Sequence, residues 1–179
     1  MKNIIYLITF ILFFIPTTLR SQTQNDSLVL LEKTIVRIHL LPLGLTIEKH
    51  LAKNTTLLFD VGLGFLYETT EINGNKDSYL KYRPYLAIEP RIYTNLQERK
   101  EKGKRIDYHS GAYGAFRLQG GIELKNKKWN VQFGPLVGFQ RTFGKKGYWN
   151  IAIGCGSTVV EKNISFGIIG NIELGFIIN

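Results

Sequence analysis

A single cysteine in 179 residues excludes an intrachain disulfide framework and any multi-Cys zinc or iron–sulfur site. Helical periodicity is absent and heptad-type content is low. Past residue 15 no apolar run approaches the roughly 18–20 residues that a spanning helix needs. The glycines do not fall at phosphate-loop spacing ahead of a helix, so nucleotide binding has no support. What is abundant is 18 Gly, 11 Phe and 9 Tyr in a chain that is 44% apolar, which leans toward β structure. The length suits one domain with a real core. Lys and Arg number 23 against 14 Asp and Glu, a formal charge of +9.

Met1 and Lys2 precede an apolar run over 4–15, followed by Pro16-Thr17-Thr18-Leu19-Arg20-Ser21. A basic start, about a dozen apolar residues and a small residue before Gln22 fit a secretory signal peptide over 1–21. The expected remainder is an N-terminal periplasmic segment, 22–29, and a barrel domain, 30–179. No Cys follows the apolar run, which excludes a lipoprotein anchor. Loss of 1–21 removes Lys2 and Arg20, leaving 21 basic against 14 acidic residues, or +7.

Alternation with period two runs through the rest of the chain. Leu57, Phe59, Val61 and Leu63 oppose Asp60, Gly62 and Gly64; Tyr82, Leu86, Ile88 and Ile92 oppose Arg83, Glu89 and Arg91. The same split recurs over 112–124, 129–140, 149–156 and 164–178. Turn-forming residues separate the runs at 72–75, 125–128, 144–147 and 161–163. The predicted fold is all-β: an antiparallel up-and-down transmembrane β-barrel, with runs of 12 to 15 residues in all of these segments but 149–156, long enough to cross a bilayer when tilted. Over 30–51 the string Leu41-Pro42-Leu43-Gly44 interrupts the pattern. One bent strand there gives seven strands in all, a hairpin gives eight. The even number of bacterial barrels favours eight. Eight strands put 72–76, 125–128 and 161–163 at the extracellular end. They put 51–54, 95–110 and 144–147 in the periplasm, although short turns are the rule on that side.

Alternation alone does not say which face is outside, and a soluble periplasmic barrel would turn its apolar face inward. Volume decides for the membrane reading. Eight strands enclose little space, the apolar parity is crowded with Phe, Trp, Ile and Leu, and the other is thinned by Gly62, Gly64, Gly121, Gly134, Gly138, Gly154, Gly156, Gly167 and Gly175. Outward Tyr67, Trp129, Phe143, Trp149 and Phe176 fall near strand ends, where aromatic girdles belong. The inward charges are then Arg37, Lys81, Arg83, Arg91 and Arg117 against Glu48, Asp60, Glu89, Glu123 and Glu173. A balanced set in a narrow space is expected to pair, because unpaired buried charge is costly, and so to plug the lumen.

Other residues with chemistry attract blander readings. Asp107, His109 and Ser110 supply an acid, a base and a nucleophile, but lie too close in sequence for relay geometry and read as a polar loop. His39 and His50 point inward as structural histidines, with no third metal ligand in view. Cys155 sits on the apolar face, where a thiol is inert. No catalytic residue, cofactor or metal is assigned. The basic stretch with Arg99, Lys100, Lys102, Lys104 and Arg105 has i,i+4 pairs able to support one helical turn, and offers contacts to anionic headgroups or cell-wall polymer. Lys125, Lys127 and Lys128 offer the same to lipopolysaccharide phosphates. Nucleic acid is not an expected partner: the basic groups lack an aromatic-lined groove, and secretion removes the partner.

Several strings together resemble the small outer-membrane β-barrel proteins of Bacteroidetes. They are Glu89-Pro90-Arg91-Ile92-Tyr93-Thr94-Asn95-Leu96 running into basic 97–105 and Ser110-Gly111, then Gly134-Pro135-Leu136-Val137-Gly138-Phe139-Gln140-Arg141 and Gly144-Lys145, and Asn171-Ile172-Glu173-Leu174-Gly175-Phe176. The resemblance covers residue 35 to the C-terminus. It implies a barrel in the outer membrane of a Gram-negative cell, handled by the barrel-assembly machinery, with no catalytic residues to carry over. Such chains commonly close on an aromatic residue, whereas here Phe176 stands three residues before Asn179. The expected function is a non-enzymatic structural or interaction protein of the envelope. The alternative is a lipid-modifying enzyme acting on lipid A or phospholipid.

Overall fold

The computed structural model describes residues 32–72, 75–124 and 127–178, with 65–72 and 75–81 described by their backbone; the expected leader 1–21 and segment 22–29 lie outside the described residues. Eight strands follow one another: β1 (Thr34–Leu41), β2 (Leu43–Ala52), β3 (Thr55–Ile72), β4 (Asn75–Tyr93), β5 (Ala112–Glu123), β6 (Lys128–Phe143), β7 (Gly147–Val160) and β8 (Asn163–Ile177). Each pairs antiparallel with the next, and β1 closes on β8, so the sheet is a closed barrel. Pro42, which has no N–H to give a ladder, is the turn between β1 and β2. The interruption over 41–44 is therefore a hairpin, and the strand count is eight.

Parity sorts the side chains as period two requires. Phe59, Leu86, Ile92, Phe116, Val137, Ile153, Ile172 and Phe176 are exposed on the outer face, and Phe166 and Ile168 are 76% and 82% exposed. Their strand neighbours are turned inward and buried, including Asp60, Glu89, Arg91, Arg117, Asn150 and Glu173. Of the aromatic residues near strand ends, Trp129, Phe143 and Phe176 are exposed and Trp149 is half-buried.

The narrow bore accommodates large inward side chains by setting glycine beside them. In the register, His39 lies across from Gly44, Tyr85 from Gly62 and from Gly121, Tyr113 from Gly138, and Tyr148 from Gly175. A Cβ at Gly62 would stand 2.7 Å from the Tyr85 hydroxyl oxygen and 2.9 Å from the Leu43 carbonyl oxygen. Large and small residues thus alternate across the interior, which is how a small barrel fills its centre.

The barrel has two unlike ends. At the lower end β1 begins and β8 finishes, and there lie the turn at Lys53 and Asn54, the connection 94–111 and the turn 144–146. That connection carries a short helix α1 (Leu96–Glu101) and one 3-10 turn (Asp107–His109). At the upper end lie Pro42, the β3–β4 and β5–β6 junctions, and Glu161 and Lys162. The wall is uneven: β3 and β4 have 18 and 19 residues, whereas β1 and β2 have 8 and 10.

Candidate functional site: the filled lumen

The middle of the bore holds a chain of ion pairs supplied by three neighbouring strands. Asp60 of β3 meets Arg117 of β5 at 2.7 Å, Arg117 meets Glu89 of β4 at 2.8 Å, and Glu89 meets Arg91 on its own strand at 2.7 Å. Arg91 donates to the Gln140 side-chain oxygen at 3.0 Å and lies over the Tyr113 ring, 4.3 Å from its centroid. His39 of β1 completes the upper side, with Nε2 3.0 Å from Asp60 Oδ1 and Nδ1 2.5 Å from the Pro42 carbonyl oxygen. Breaking such a buried pair by removing one member leaves an uncompensated charge, at a cost of about 3–5 kcal/mol.

Glu48 anchors a second cluster below. Arg37 pairs with it at 2.7 Å, Thr56 and Tyr93 donate to it at 2.6 and 2.8 Å, and His109 Nδ1 stands 3.1 Å away. His109 arrives from the connection 94–111 and is fully buried, as is Ser110. Asp107, His109 and Ser110 thus lie in a polar loop, as expected, and that loop turns His109 up into the bore. Its Tyr108 carbonyl accepts from Arg37 at 3.2 Å and from Gln140 at 2.9 Å, while the Ser110 hydroxyl oxygen accepts the Thr142 N–H at 3.2 Å. The connection is thus strapped to β1, β2 and β6 at once. Tyr108 and His109 hold φ of 52° and 60°, a left-handed conformation that costs a non-glycine residue roughly 1–2 kcal/mol. The ties to Glu48, Arg37 and Gln140 offset that strain.

Not every inward charge joins these clusters. Glu173 is buried and accepts from Asn171 at 2.6 Å. Glu123 is buried near the upper end. Arg83 is half-buried, with its Nε out of water and without a hydrogen-bond partner. The Lys81 side chain lies outside the described residues, as does Lys125. His50 is half-buried near the lower end of β2. Cys155 is exposed on the apolar face. Among the described residues no group of three His, Cys, Asp or Glu side chains is placed to hold a metal.

The two basic groups sit at opposite ends. Lys127 and Lys128 are exposed at the upper rim, where Lys128 stands 3.6 Å from Glu161. Arg99, Lys100, Lys102, Lys104 and Arg105 belong to the lower connection. There Lys102 pairs with Glu98 along α1, Arg99 donates to the Arg105 carbonyl at 2.8 Å, and Arg105 pairs with Asp107 at 2.5 Å while donating to the Gly144 carbonyl at 2.7 Å. The Arg105 guanidinium beside Asp107 holds that carboxyl below its ordinary range.

Parity could have found part of what sequence reasoning missed. Tyr85, Tyr93 and Tyr113 fall on the inward register of their strands, although they read as ordinary aromatics. Nothing in the sequence signals that His109 enters the bore, because it lies outside any strand. The class defined by fold and site is a closed eight-stranded antiparallel barrel whose bore is filled by ion pairs and tyrosines. Comparison with protein-family profiles, curated proteins and solved structures finds nothing that matches the chain.

Proposed function

We propose that the chain is an integral outer-membrane β-barrel with a plugged lumen, serving the envelope as a structural or interaction protein and not as an enzyme. The observation that carries this reading is the outer face. Exposed Ile, Leu, Val and Phe side chains occur on every strand from β1 to β8 among the described residues. Soluble monomers rarely expose contiguous apolar patches beyond roughly 300–600 Å², and lipid is the solvent that suits such a surface. The resemblance of its short strings to those of the Bacteroidetes barrels points the same way. Carbonate washing followed by detergent extraction tests it: the protein should stay with the membranes through carbonate and leave only with detergent. Release by carbonate alone would sink the reading.

The lower end, with both barrel termini, is the periplasmic one in this proposal, as in bacterial barrels generally. Its basic connection then faces cell-wall polymer, and Lys127 and Lys128 face lipopolysaccharide phosphates. In a Cys155→Ser background, a membrane-impermeant maleimide should label Glu161→Cys in intact cells and leave Lys100→Cys untouched until the cells are opened. The reverse pattern would invert the barrel. A lipid-modifying enzyme asks for a reactive His and Ser or a carboxylate pair at the outer rim. His39 and His109 are instead fully buried against Asp60 and Glu48, which supports the non-enzymatic reading. The filled bore is expected to give no steady, wide channel in planar bilayers, and a large stable conductance would overturn the plug.

A further inference from the structure

We propose that a gap in the upper wall, between β8 and β3, binds one long-chain carboxylate, with its acid head inside the lumen and its acyl chain on the outer face of β7 and β8. The gap follows from the short first hairpin. The β1–β8 ladder ends at Leu41 and Leu174, and the β2–β3 ladder ends at Leu43 and Leu63. Above the Pro42 turn, β8 pairs with β7 on one side and β3 pairs with β4 on one side, and no ladder joins β8 to β3 among the described residues. The β3 stretch 64–72, rising about 3.3 Å per residue and tilted by roughly 40°, makes this opening ~20 Å tall.

A wall open at a fixed place joins inside to outside, and the residues around the opening come from both faces. A cavity of about 370 Å³ is bounded by lumen-facing Arg83, Tyr85, Arg117 and Gln119 and by outward Leu41 and Ile172. A second hollow of about 450 Å³ continues along the outer face, with Gly170 between Ile151, Ile153, Ile168 and Ile172. The two share Gly170, Asn171 and Ile172. A Cβ at Gly170 would stand 2.5 Å from the Ala152 carbonyl oxygen, so the bare floor of that furrow is imposed by strand packing. An apolar furrow therefore runs up to a polar chamber.

The chamber's charge selects the head. Arg117 is engaged by Asp60, Glu89 and Gln119. Arg83 has no ion-pair partner among the described residues, and its Nε is buried without a hydrogen-bond acceptor. A guanidinium fork with unused donors matches a carboxylate in two parallel hydrogen bonds. One uncommitted cation among the described residues of the chamber matches a single negative charge, and one furrow matches a single chain. The proposal rests on the outer face being lipid-facing, since lipid is the medium that would deliver such a ligand.

Equilibrium dialysis of labelled palmitate against the purified full chain in zwitterionic micelles, with protein-free micelles as reference, tests the site. One palmitate per barrel is expected, with hexadecanol at least about tenfold weaker, because a charged hydrogen-bonded head is worth roughly 1.5–3 kcal/mol. Arg83→Ala should weaken palmitate by the same factor while keeping the heat-modifiable mobility of a folded barrel, and Arg83→Lys should restore part of the loss. Ile168→Trp, which fills the furrow on a residue 82% exposed, should weaken palmitate and hexadecanol alike. Equal binding of palmitate and hexadecanol, or palmitate binding unchanged in Arg83→Ala, would overturn the site. So would displacement of palmitate by acetate at equal concentration, which would make the chamber a small-anion pocket. Insertion is read separately by carbonate washing, so a barrel that stays in the membrane yet prefers neither ligand refutes the site alone.

Discussion

At its lower end the barrel is closed by its own chain, as His109 and the Tyr108 carbonyl enter the bore and meet Glu48, Arg37 and Gln140. At its upper end the first hairpin stops at Pro42, short of its neighbours, and Arg83 faces a cavity with no ion-pair partner among the described residues. Both ends use the same inward parity and the same residue types. The difference lies in the length of chain available. A connection of about eighteen residues, 94–111, can fold back and supply partners, whereas a single-residue turn leaves a gap. Inward charge is structural where chain covers it and is free for a ligand where chain does not.

The contrast is most exposed to single substitutions at the two sites. Glu48→Ala would strand Arg37 and His109 out of water and should remove about 3–5 kcal/mol from urea-unfolding stability in lipid. Arg83→Ala removes a side chain with no ion-pair partner among the described residues and should stay within roughly 0.5 kcal/mol. Similar losses at both positions would erase the distinction between the ends.

Packing gives a middle-sized effect. Gly62→Ala places a methyl against the Tyr85 hydroxyl and the Leu43 backbone, and overpacking of this kind costs about 1–3 kcal/mol. Gly114 on the outer face has nothing within 4 Å of a Cβ, and Gly114→Ala should be neutral or stabilise by up to ~1 kcal/mol. Thermal shifts of the two variants in one detergent compare inside with outside directly. A loss at Gly114 as large as at Gly62 would contradict the large–small alternation of the bore.

The smallest effect lies outside the barrel. Asp107 has its folded pKa depressed by Arg105. Its contribution is present above the unfolded value, about 3.9, and is lost as pH falls through the folded value. The pair is more than a third exposed, so screening leaves it at about 0.2–1 kcal/mol. Asp107→Asn should flatten the loss of hydrogen-exchange protection around Ile106 and Gly144 below pH ~4, with little change at neutral pH. An unaltered acid profile in the variant would remove the pair from the closure of the lower end.

Much of the architecture was legible in residue order. The parity of 55–64 and of 82–93 places Phe59 and Leu86 opposite in sense to Asp60 and Glu89, and Leu41-Pro42-Leu43 marks the hairpin that makes eight strands. Parity also turned Arg37, Glu48, Asp60, Glu89, Arg91, Arg117 and Glu173 inward, but counting charges does not pair them. Arg117 lies between Asp60 and Glu89 because register brings β3, β4 and β5 together, while Arg83, two residues from Tyr85 on β4, faces a gap left by β1 and β2. Whether a charge is matched depends on which strands stand across from it and how tall they are.

By itself the sequence determined a two-faced antiparallel sheet, since period-two alternation is a local property of an extended chain. It also set the narrowness of the interior through glycine on the inward parity. Tertiary structure alone decided that the connection 94–111 enters the bore, that His109 rather than a strand residue reaches Glu48, and that the upper wall is open beside β8. Those outcomes depend on contacts between residues distant in sequence. Such contacts form only once the sheet closes and fixes which side chains share the space inside.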